Sequence, residues 1–363
     1  VEEGIICGGG SAYIHASKEV AKLVDTLEGD EKTGGKVILK ALEVENYRNI
    51  PAARFEPGRE LTVICGKNGQ GKTNLLEAVW LLTGGKSFRG AKDAELIREN
   101  AGYAVAEGET QGFGKESRIR VFVGGQARTV RVNGVDYGRA ANAAGTFTAV
   151  VFDPGHLSLV KGSPEGRRRF LDAALCQLYP GYVTLLRRYS RLVTQKNALL
   201  KSYWQTPDAN GLLDVFDEKL AESGAAVSAK RQEYLALIEP EITGTYRDIA
   251  SGSETLAIQY EPSFEPEKGL APVLRESRAR DIAAGFCTAG PHREDFSISI
   301  DGRAAKVFAS QGQQRSAVLS LKLAEAAGAQ KITGEHPVML LDDVLSELDE
   351  TRQSYLLSRM EHR

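Results

Sequence analysis

Apolar and polar residues alternate in the first regular stretch of the chain after residue 36. The run Val37–Tyr47 (V-I-L-K-A-L-E-V-E-N-Y) has the period of a half-buried strand, and a second apolar run covers Leu61–Cys65. After Thr73, apolar positions recur at helical spacing until Gly84 and Gly85 end the segment. The pattern predicts a strand, a glycine-containing loop and a helix in that order over residues 61–85.

The periodicity then changes twice along the rest of the chain. Short alternating runs separated by Gly-Gly and Asn-Gly predict antiparallel hairpins over residues 103–152. Helical spacing among many charges predicts a helical arm from Glu165 to about Thr245. Alternation returns at Phe296–Ile300, a helix is predicted for Gln314–Ala327, and the apolar run Pro337–Asp343 predicts a buried strand that ends in acids.

The glycine-containing loop has the spacing of a phosphate-binding P-loop. Gly66–Thr73 (G-K-N-G-Q-G-K-T) matches G-x-x-x-x-G-K-[ST], with a predicted strand before it and a helix after it. In such a loop, backbone N–H groups and the helix N-terminus surround phosphates, and the lysine, Lys72, neutralises β- and γ-phosphate charge. The hydroxyl of Thr73 is a predicted Mg²⁺ ligand, so the expected cofactors are ATP and Mg²⁺. The predicted nucleotide-binding residues of the loop are Gly66, Asn68, Gly69, Gly71, Lys72, Thr73 and Asn74.

Two successive carboxylates end the last apolar run, Val338–Asp343 (V-M-L-L-D-D). Asp342 is expected to orient Mg²⁺ and its waters, and Asp343 to act as the general base that polarises the attacking water. With Lys72, Asp343 forms the predicted catalytic pair, and Asp342 with Thr73 the predicted metal ligands. An Asp pair after an apolar run also suits a helix cap or turn, but the P-loop favours the metal role.

A third segment, Ser310–Arg315 (S-Q-G-Q-Q-R), precedes a predicted helix and resembles the signature loop of ABC-type ATPases. In that class, the loop completes the nucleotide site of the opposite subunit, where a serine hydroxyl and a helix N-terminus meet the γ-phosphate. The resemblance implies an ATP-dependent homodimer in which Ser310, Gln311 and Gly312 bind the partner's nucleotide. Ser346–Asp349 (S-E-L-D) resembles the D-loop of the same class. A polar loop that only caps a helix is the alternative for Ser310.

Composition indicates an ordinary globular protein. Hydrophobic residues make up 42% and charged residues 26%, and no apolar run is long enough to span a bilayer, so a cytoplasmic location without a membrane partner is expected. With 46 Lys+Arg and 48 Asp+Glu, any nucleic-acid contact must come from a local basic patch. The four cysteines lack C-x-x-C spacing, which favours buried free thiols in a reducing cytoplasm.

Four further segments of the chain have the wording of known motifs. They are N-Y-R-N (Asn46–Asn49), L-S-L-V-K-G-S-P-x-x-R-R-R-F-L-D (Leu157–Asp172), G-P-H-R-E-D (Gly290–Asp295) and L-L-D-D-V-L-S-E-L-D (Leu340–Asp349). Together with the P-loop and signature segments, they resemble the RecF family of ABC/SMC-like ATPases over residues 37–363. The resemblance implies dimerisation on DNA with ATP, slow hydrolysis, and cooperation with RecR and RecO in bringing RecA to single-stranded gaps during DNA replication and repair.

Two basic clusters are candidates for DNA contact. Such residues would bind phosphates without reading bases, because no interleaved aromatic residues form a stacking platform. As solvated surface charges, they need no functional explanation. The denser cluster is Arg167, Arg168 and Arg169, and the looser one is Lys86, Arg89 and Lys92.

The chain departs from the family pattern at two places. No glutamine of the Q-loop type stands near Val151–Gly155, and Asp153 or His156 is the candidate substitute. Chains of the family continue past the D-loop with a further core strand and a switch segment, whereas this sequence ends at Arg363. Without that core strand, a sheet edge would be exposed and part of the wall of the active site would be lost. We therefore expect ATP binding with weak or failing hydrolysis.

The start of the chain resembles a different family. Val1–Ile14 (V-E-E-G-I-I-C-G-G-G-S-A-Y-I) is similar to a segment of GroEL-type chaperonins, and the similarity continues to about residue 36. Forty residues cannot rebuild the chaperonin's nucleotide pocket, so Gly8, Gly9 and Gly10 are not expected to bind nucleotide. The segment is interpreted as a foreign extension. The alternative to nucleotide binding by these glycines is a helix at Ser11–Leu27, packed on the outside of the protein or left loose.

These observations predict an α/β fold, an ABC-type P-loop ATPase head with a mixed sheet, an antiparallel sheet beside it and an inserted helical arm. The expected divisions are an extension (1–36), a first ATPase lobe (37–165), the helical arm (166–285) and a truncated C-terminal part of the head (286–363). Two alternatives to a RecF-like function stay open. One is the ATP-binding subunit of a membrane transporter, which shares the three ATP motifs, and the other is an inactive chimeric fragment.

Overall fold

A four-stranded sheet places the P-loop strand and the acidic strand near each other. The computed structural model describes residues 12–15, 36–58, 61–125 and 127–361. The sheet contains β1 (Ala12–His15), β4 (Leu61–Ile64), β9 (Ala149–Phe152) and β13 (Val338–Asp342), in the order β4-β1-β13-β9. Because β1 is antiparallel to both β4 and β13, the latter two run in the same direction. The P-loop and the acids therefore follow the same end of the sheet.

The strand at Ala12–His15 corrects one sequence expectation. The helix expected for Ser11–Leu27 is wrong at residues 12–15, because the backbone there pairs with Leu61–Ile64 on one side and Met339–Asp342 on the other. Two neighbouring strands offer ladder hydrogen bonds on both sides, and this tertiary context overrides a local helical pattern. The rest of the predicted chaperonin-like extension, residues 1–11 and 16–35, lies outside the described residues.

A six-stranded antiparallel sheet contains the hairpins predicted after residue 103. The prediction of hairpins up to residue 152 is wrong at residues 149–152, which form β9 of the first sheet and run parallel to β13. Asn133 and Gly134, both with positive φ, form the tight turn between the seventh and eighth strands, as the Asn-Gly signal predicts. The strands are β2 (Ile38–Tyr47), β3 (Ile50–Phe55), β5 (Tyr103–Gly112), β6 (Lys115–Gly124), β7 (Ala127–Val132) and β8 (Val135–Arg139), in the order β3-β2-β5-β6-β7-β8. The P-loop helix α1 (Lys72–Leu81) joins both sheets in one core, to which Leu76, Val121 and Leu340 belong.

The helical arm is built mainly from three long helices. They are α3 (Pro164–Leu178), α4 (Tyr182–Lys201) and α5 (Ala209–Ile249), preceded by the short α2 (Ser158–Lys161) and followed by α6 (Leu270–Glu276) and α7 (Arg278–Ala284). Inside the arm, the buried ammonium of Lys196 lies 2.8 Å from Asp217 Oδ1 and 3.0 Å from Asp281 Oδ2. A buried charge held by two carboxylates fixes the helices that carry them, since removing one partner would leave an uncompensated ion.

A three-stranded sheet and the signature helix, which begins in the signature segment and covers Gln311–Thr333, complete the head. The elements are β10 (Leu256–Glu261), β11 (Asp295–Ile300), β12 (Arg303–Ala304), α8 (Ala305–Phe308), α9 (Gln311–Thr333) and α10 (Glu350–Glu361). β10 and β11 pair with each other although they lie on either side of the predicted boundary at 285, so this sheet joins the arm to the C-terminal part. The mixed sheet, antiparallel sheet and helical arm agree with the predicted fold class.

The structure bears on two expectations from composition, the absence of membrane-spanning segments and the burial of the cysteines. Within the part of the chain that the structure describes, no helix has the length and apolar character to cross a membrane. Cys65, Cys176 and Cys287 are free thiols, but only Cys287 is buried. The expectation of burial is wrong for Cys65, which is exposed because it follows β4 where the P-loop begins.

Candidate nucleotide-binding site

The P-loop connects the end of β4 to the first turn of α1. Gly71 has φ of 96° at the helix N-cap, and a methyl group there would lie 2.8 Å from Asn49 Oδ1. Both the left-handed backbone and the close approach require glycine. Side-chain atoms added at Gly66 or Gly69 would meet nothing within 4 Å, so open space adjoins the loop. This space and the helix N-terminus fit the predicted phosphate cradle.

The lysine of the loop lies across its own turn. Lys72 Nζ donates to the carbonyl oxygens of Gly66 at 2.7 Å and Lys67 at 3.1 Å. The loop itself, from Gly66 to Gln70, is exposed. An ammonium has three donors, so one donor remains for a phosphate oxygen even while both carbonyl contacts are kept.

The two predicted metal ligands are in direct contact. Thr73 Oγ1, in the first turn of α1, donates to Asp342 Oδ1, at the end of β13, at 2.8 Å. Burial raises the pKa of Asp342, and the hydrogen bond from Thr73 opposes that effect. Hydroxyl and carboxylate oxygens are the ligands that Mg²⁺ takes from proteins, and waters and phosphate oxygens fill its remaining coordination positions. This pair therefore fits the predicted metal, although among the described residues no three His, Cys, Asp or Glu side chains converge on a common point.

The predicted general base has an unusual backbone conformation. Asp343 has φ of 50°, in the left-handed region that a non-glycine residue adopts at a cost of about 1 to 2 kcal/mol. Ser346 Oγ donates to both the backbone oxygen and Oδ1 of Asp343, at 2.9 Å each. The turn after β13 thus directs the Asp343 carboxylate away from the ordinary strand continuation and holds it there.

The N-Y-R-N turn, noted in the sequence only as part of a resemblance, lies on the P-loop. Asn49 Nδ2 donates to the carbonyl oxygen of Gly69 at 2.7 Å, and Asn74 Nδ2 donates to Asn49 Oδ1 at 2.8 Å. Arg48 donates to the buried carboxylate of Glu77 on α1 at 2.6 and 2.9 Å. In the sequence, this turn is marked only by polar residues between two strands of alternating pattern. That pattern does not predict that the side chains contact the P-loop.

Arg89 belongs to one of the two basic clusters of the sequence, and the structure gives it a second neighbourhood. Its Nη1 donates to Asn74 Oδ1 at 3.0 Å, next to Thr73. Its charge lowers the pKa of Asp342 and of Asp153, so the guanidinium lies near both carboxylates. Arg89 is therefore at the rim of the nucleotide site, and its contact with DNA stays a prediction.

The two candidates for the missing glutamine differ in what they face. The Asp153 N–H donates to His156 Nδ1 at 3.0 Å, so His156 caps the turn after β9. The Asp153 side chain accepts from the Gly155 N–H at 2.7 Å and also raises the pKa of Asp342 through charge repulsion. Burial raises the pKa of Asp153 itself. Of the two, Asp153 is the one whose charge acts on Asp342, the predicted metal ligand.

The signature segment begins α9 with a reciprocal cap. Ser310 Oγ accepts from the Gln313 N–H at 3.2 Å, and Gln313 Oε1 accepts from the Ser310 N–H at 2.7 Å. Ser310 and Gln311 are exposed, and Gly312 is half-buried. The positive end of a 23-residue helix thus faces solvent at a point that another molecule can reach.

The densest basic cluster is largely used inside the protein. Arg167 is buried, with its Nε and Nη2 each 2.7 Å from the carboxylate of Asp295, and Arg168 donates to the carbonyl oxygen of Glu294 at 2.6 Å. The interpretation of Arg167 as a DNA contact is wrong, because an acid 128 residues away in the chain neutralises it. Arg169 is exposed and keeps its predicted role as a candidate.

Comparison with known proteins agrees with this geometry. The family model described as "RecF/RecN/SMC N terminal domain" matches residues 38–363. A protein of Heliobacterium modesticaldum named "DNA replication and repair protein RecF" is 40% identical over 333 residues, which cover 89% of each chain. The protein of the same name from Ruminiclostridium cellulolyticum is 38% identical over 333 residues, 88% of this chain and 89% of that protein. The chaperonin resemblance of residues 1–36 lies before the family match and finds no support here.

A solved structure gives the same picture in three dimensions. It is described as "Structure of the recombination mediator protein RecF-ATPrS in RecFOR pathway", and it matches with a TM-score of 0.82 and 34% identity over 91% of each chain. A second, described as "RecF-ATP" in the same pathway, matches with a TM-score of 0.81 over 90% of each chain.

Proposed function

Because this chain belongs to the RecF family, within the RecF/RecN/SMC group, we propose that it is an ATP-switched DNA-binding protein of replication and recombinational gap repair. The observation that carries the proposal is the contact between Thr73 and Asp342, which joins the P-loop helix to the acidic strand at 2.8 Å. In a P-loop site, the loop and the acidic strand must meet at one point to hold the triphosphate and its metal together.

Each residue of the site has a definite task in this proposal. Lys72 keeps its two carbonyl contacts and would offer its remaining donor to the β- and γ-phosphates, while Thr73 and Asp342 would hold Mg²⁺. The metal, when bound, neutralises charge between those phosphates. Asp343 accepts a proton from the attacking water, with its direction fixed by Ser346. Hydrolysis is expected to be slow, and the nucleotide serves as a switch.

Three residues outside the P-loop and the acidic strand support the same site. Asn49 fixes the P-loop carbonyl of Gly69 so that the loop's N–H groups face the phosphates. Arg89 adds positive charge beside Asn74, and Asp153 adds a third carboxylate that orients water near Asp342. We assign all three to the nucleotide site.

The second half of the site comes from another copy. In this proposal, ATP bound at one P-loop is closed by Ser310, Gln311 and Gly312 of the partner copy, so the nucleotide holds a homodimer together. The exposed, capped N-terminus of α9 supports this, because a helix N-terminus stabilises an anion that lies next to it on the helix axis.

The dimer would hold DNA by its backbone and act in the cytoplasm with RecR, RecO and RecA. The names of the relatives, which concern DNA replication and repair, support DNA as a partner, and the descriptions of the structures, which refer to the RecFOR pathway, support RecR and RecO. RecA and the location are what the family resemblance implies. The exposed cations Arg169, Lys86 and Lys92 are the candidate phosphate contacts.

The test measures binding to gapped duplex DNA with and without ATP and Mg²⁺, for the native chain and for Lys72→Ala. We expect ATP to strengthen DNA binding by the native chain alone. Lys67→Ala is the matched control, since Lys67 is an exposed lysine of the same loop at a position that the motif leaves open. Equal binding by all proteins in all conditions would refute the proposal, and a native chain that takes up no ATP would favour an inactive fragment.

A further inference from the structure

One arginine outside the recognised motifs bridges two of them. Arg352 lies in the first turn of α10, just after the D-loop segment. Its Nε donates to Ser316 Oγ on α9 at 2.7 Å, its Nη1 forms an ion pair with Asp349, and its backbone N–H donates to Asp349 Oδ1 at 2.9 Å. The side chain therefore connects the D-loop acid to the signature helix within one copy.

The same guanidinium packs on the signature turn itself. A methyl group at Gly312 would lie 3.3 Å from Arg352 Nη2, and Ser316 Oγ, which accepts from Arg352, donates to the carbonyl oxygen of Gly312 at 3.1 Å. Gly312 is thus one of the residues expected to meet the partner's nucleotide and also the surface on which the guanidinium rests. Any shift of Arg352 is passed to Gly312 through van der Waals contact and through Ser316.

The D-loop side of the bridge is held equally well. Hydrogen bonding from Arg352 lowers the pKa of Asp349, so the acid stays charged. Gln353, the next residue, donates to the carbonyl oxygens of Leu345 at 2.8 Å and Leu348 at 2.9 Å, which closes the loop against the first turn of α10.

We propose that Arg352 is a positioning residue that fixes the signature turn (Ser310–Gly312) and the D-loop (Ser346–Asp349) as one rigid surface for the second copy. This rests on the proposed function, because it assigns that surface to the nucleotide-bound dimer. An arginine suits the task because its planar fork serves Ser316 and Asp349 at the same time. A lysine, as a single point donor, would reach one of them.

The first test needs no nucleotide and no dimer. Amide hydrogen exchange of the first turn of α9, residues 311–316, is compared among the native protein, Arg352→Ala and Arg352→Lys. Loss of a charge-assisted bond is expected to speed exchange about tenfold in Arg352→Ala, equivalent to about 1.4 kcal/mol, with an intermediate effect in Arg352→Lys. Arg359→Ala is the control, because Arg359 lies on the same helix and pairs with Asp248 at 3.2 Å.

The second test measures the expected consequence. Sedimentation with ATP should show a dimer weakened about tenfold or more in Arg352→Ala and unchanged in Arg359→Ala. Binding of a fluorescent ATP analogue at protein concentrations below dimerisation should stay within about twofold of the native value, because the described contacts of Arg352 lie on α9 and the D-loop, away from its own P-loop.

Native exchange and native dimerisation in Arg352→Ala would overturn the positioning role. If that variant does not fold, Ser316→Ala and Asp349→Asn remove the two ends of the bridge separately, and each should reproduce part of the effect. A native protein that fails to dimerise with ATP would refute the proposed function, while the exchange comparison would still decide the role of Arg352.

Discussion

Replacing Arg48 tests the link between the N-Y-R-N turn and the P-loop helix. Its guanidinium donates to the Glu77 carboxylate at 2.6 and 2.9 Å, and Glu77 is fully buried, with Ser87 as its other hydrogen-bond partner. The change Arg48→Met keeps most of the side-chain length and removes the charge. It leaves a buried carboxylate with one neutral donor, a situation that typically costs about 3 to 5 kcal/mol.

The free energy of unfolding should therefore fall by about 3 kcal/mol at pH 7 in Arg48→Met, at the lower end of that range because Ser87 still donates to the carboxylate. Nucleotide affinity should fall as well, since Asn49 follows Arg48 directly and contacts Gly69.

Urea unfolding at pH 7, followed by far-ultraviolet circular dichroism, measures this difference in the free energy of unfolding. The double variant Arg48→Met with Glu77→Gln is the control, because it removes both charges and should recover much of the loss at pH 7. A loss below about 1 kcal/mol would show that the pair does not hold the turn on the helix.

Three further predictions follow from single contacts. Asp342→Asn should weaken ATP binding about tenfold in the presence of Mg²⁺ and little in its absence, as measured by titration calorimetry, because it removes a predicted metal ligand. Gly71→Ala should lower stability by about 1 to 3 kcal/mol and abolish ATP binding, given φ of 96° and the 2.8 Å approach to Asn49; native affinity would contradict this. Burial lowers the pKa of His292 to about 4 from 6.5, so the folded protein binds fewer protons and loses stability as pH falls from 6.5 towards 4. The total loss is up to about 3 kcal/mol, and unfolding curves of His292→Asn should show a flatter dependence over that window.

The P-loop and the acidic strand could be predicted because each motif is local. Gly66–Thr73 and Val338–Asp343 carry their own strand and helix context, and their contact through Thr73 and Asp342 spans 269 positions that no periodicity records. Asn49 reaches Gly69 across 20 positions and Arg352 reaches Ser316 across 36, so their roles depend on packing. Sequence spacing predicts the chemistry of residues within a motif. It does not predict the side-chain contacts that a neighbouring turn makes with that motif.

Charge was a weaker guide than spacing, and the basic run Arg167–Arg169 shows why. Three consecutive arginines indicate a phosphate-binding surface only if all three face solvent, yet successive residues of a helix point about 100° apart. On α3, Arg167 therefore faces the core and Arg169 faces water. The buried charge of Arg167 is compensated by Asp295, 128 positions further along the chain, which supplies a carboxylate at 2.7 Å.

A continuous set of contacts joins the two halves of the proposed site within one copy. Asp342 contacts Thr73, Ser346 holds the turn at Asp343, and the same short segment ends at Asp349, which Arg352 connects to the signature helix. Contact alone does not establish coupling; a change at one end must alter the equilibrium at the other. Hydrogen exchange in residues 311–316, measured with and without nucleotide, tests whether the P-loop and the signature turn are coupled in this way. If nucleotide protects this turn in the native monomer and fails to do so in Arg352→Ala, the copy's own P-loop prepares the surface that it offers to its partner.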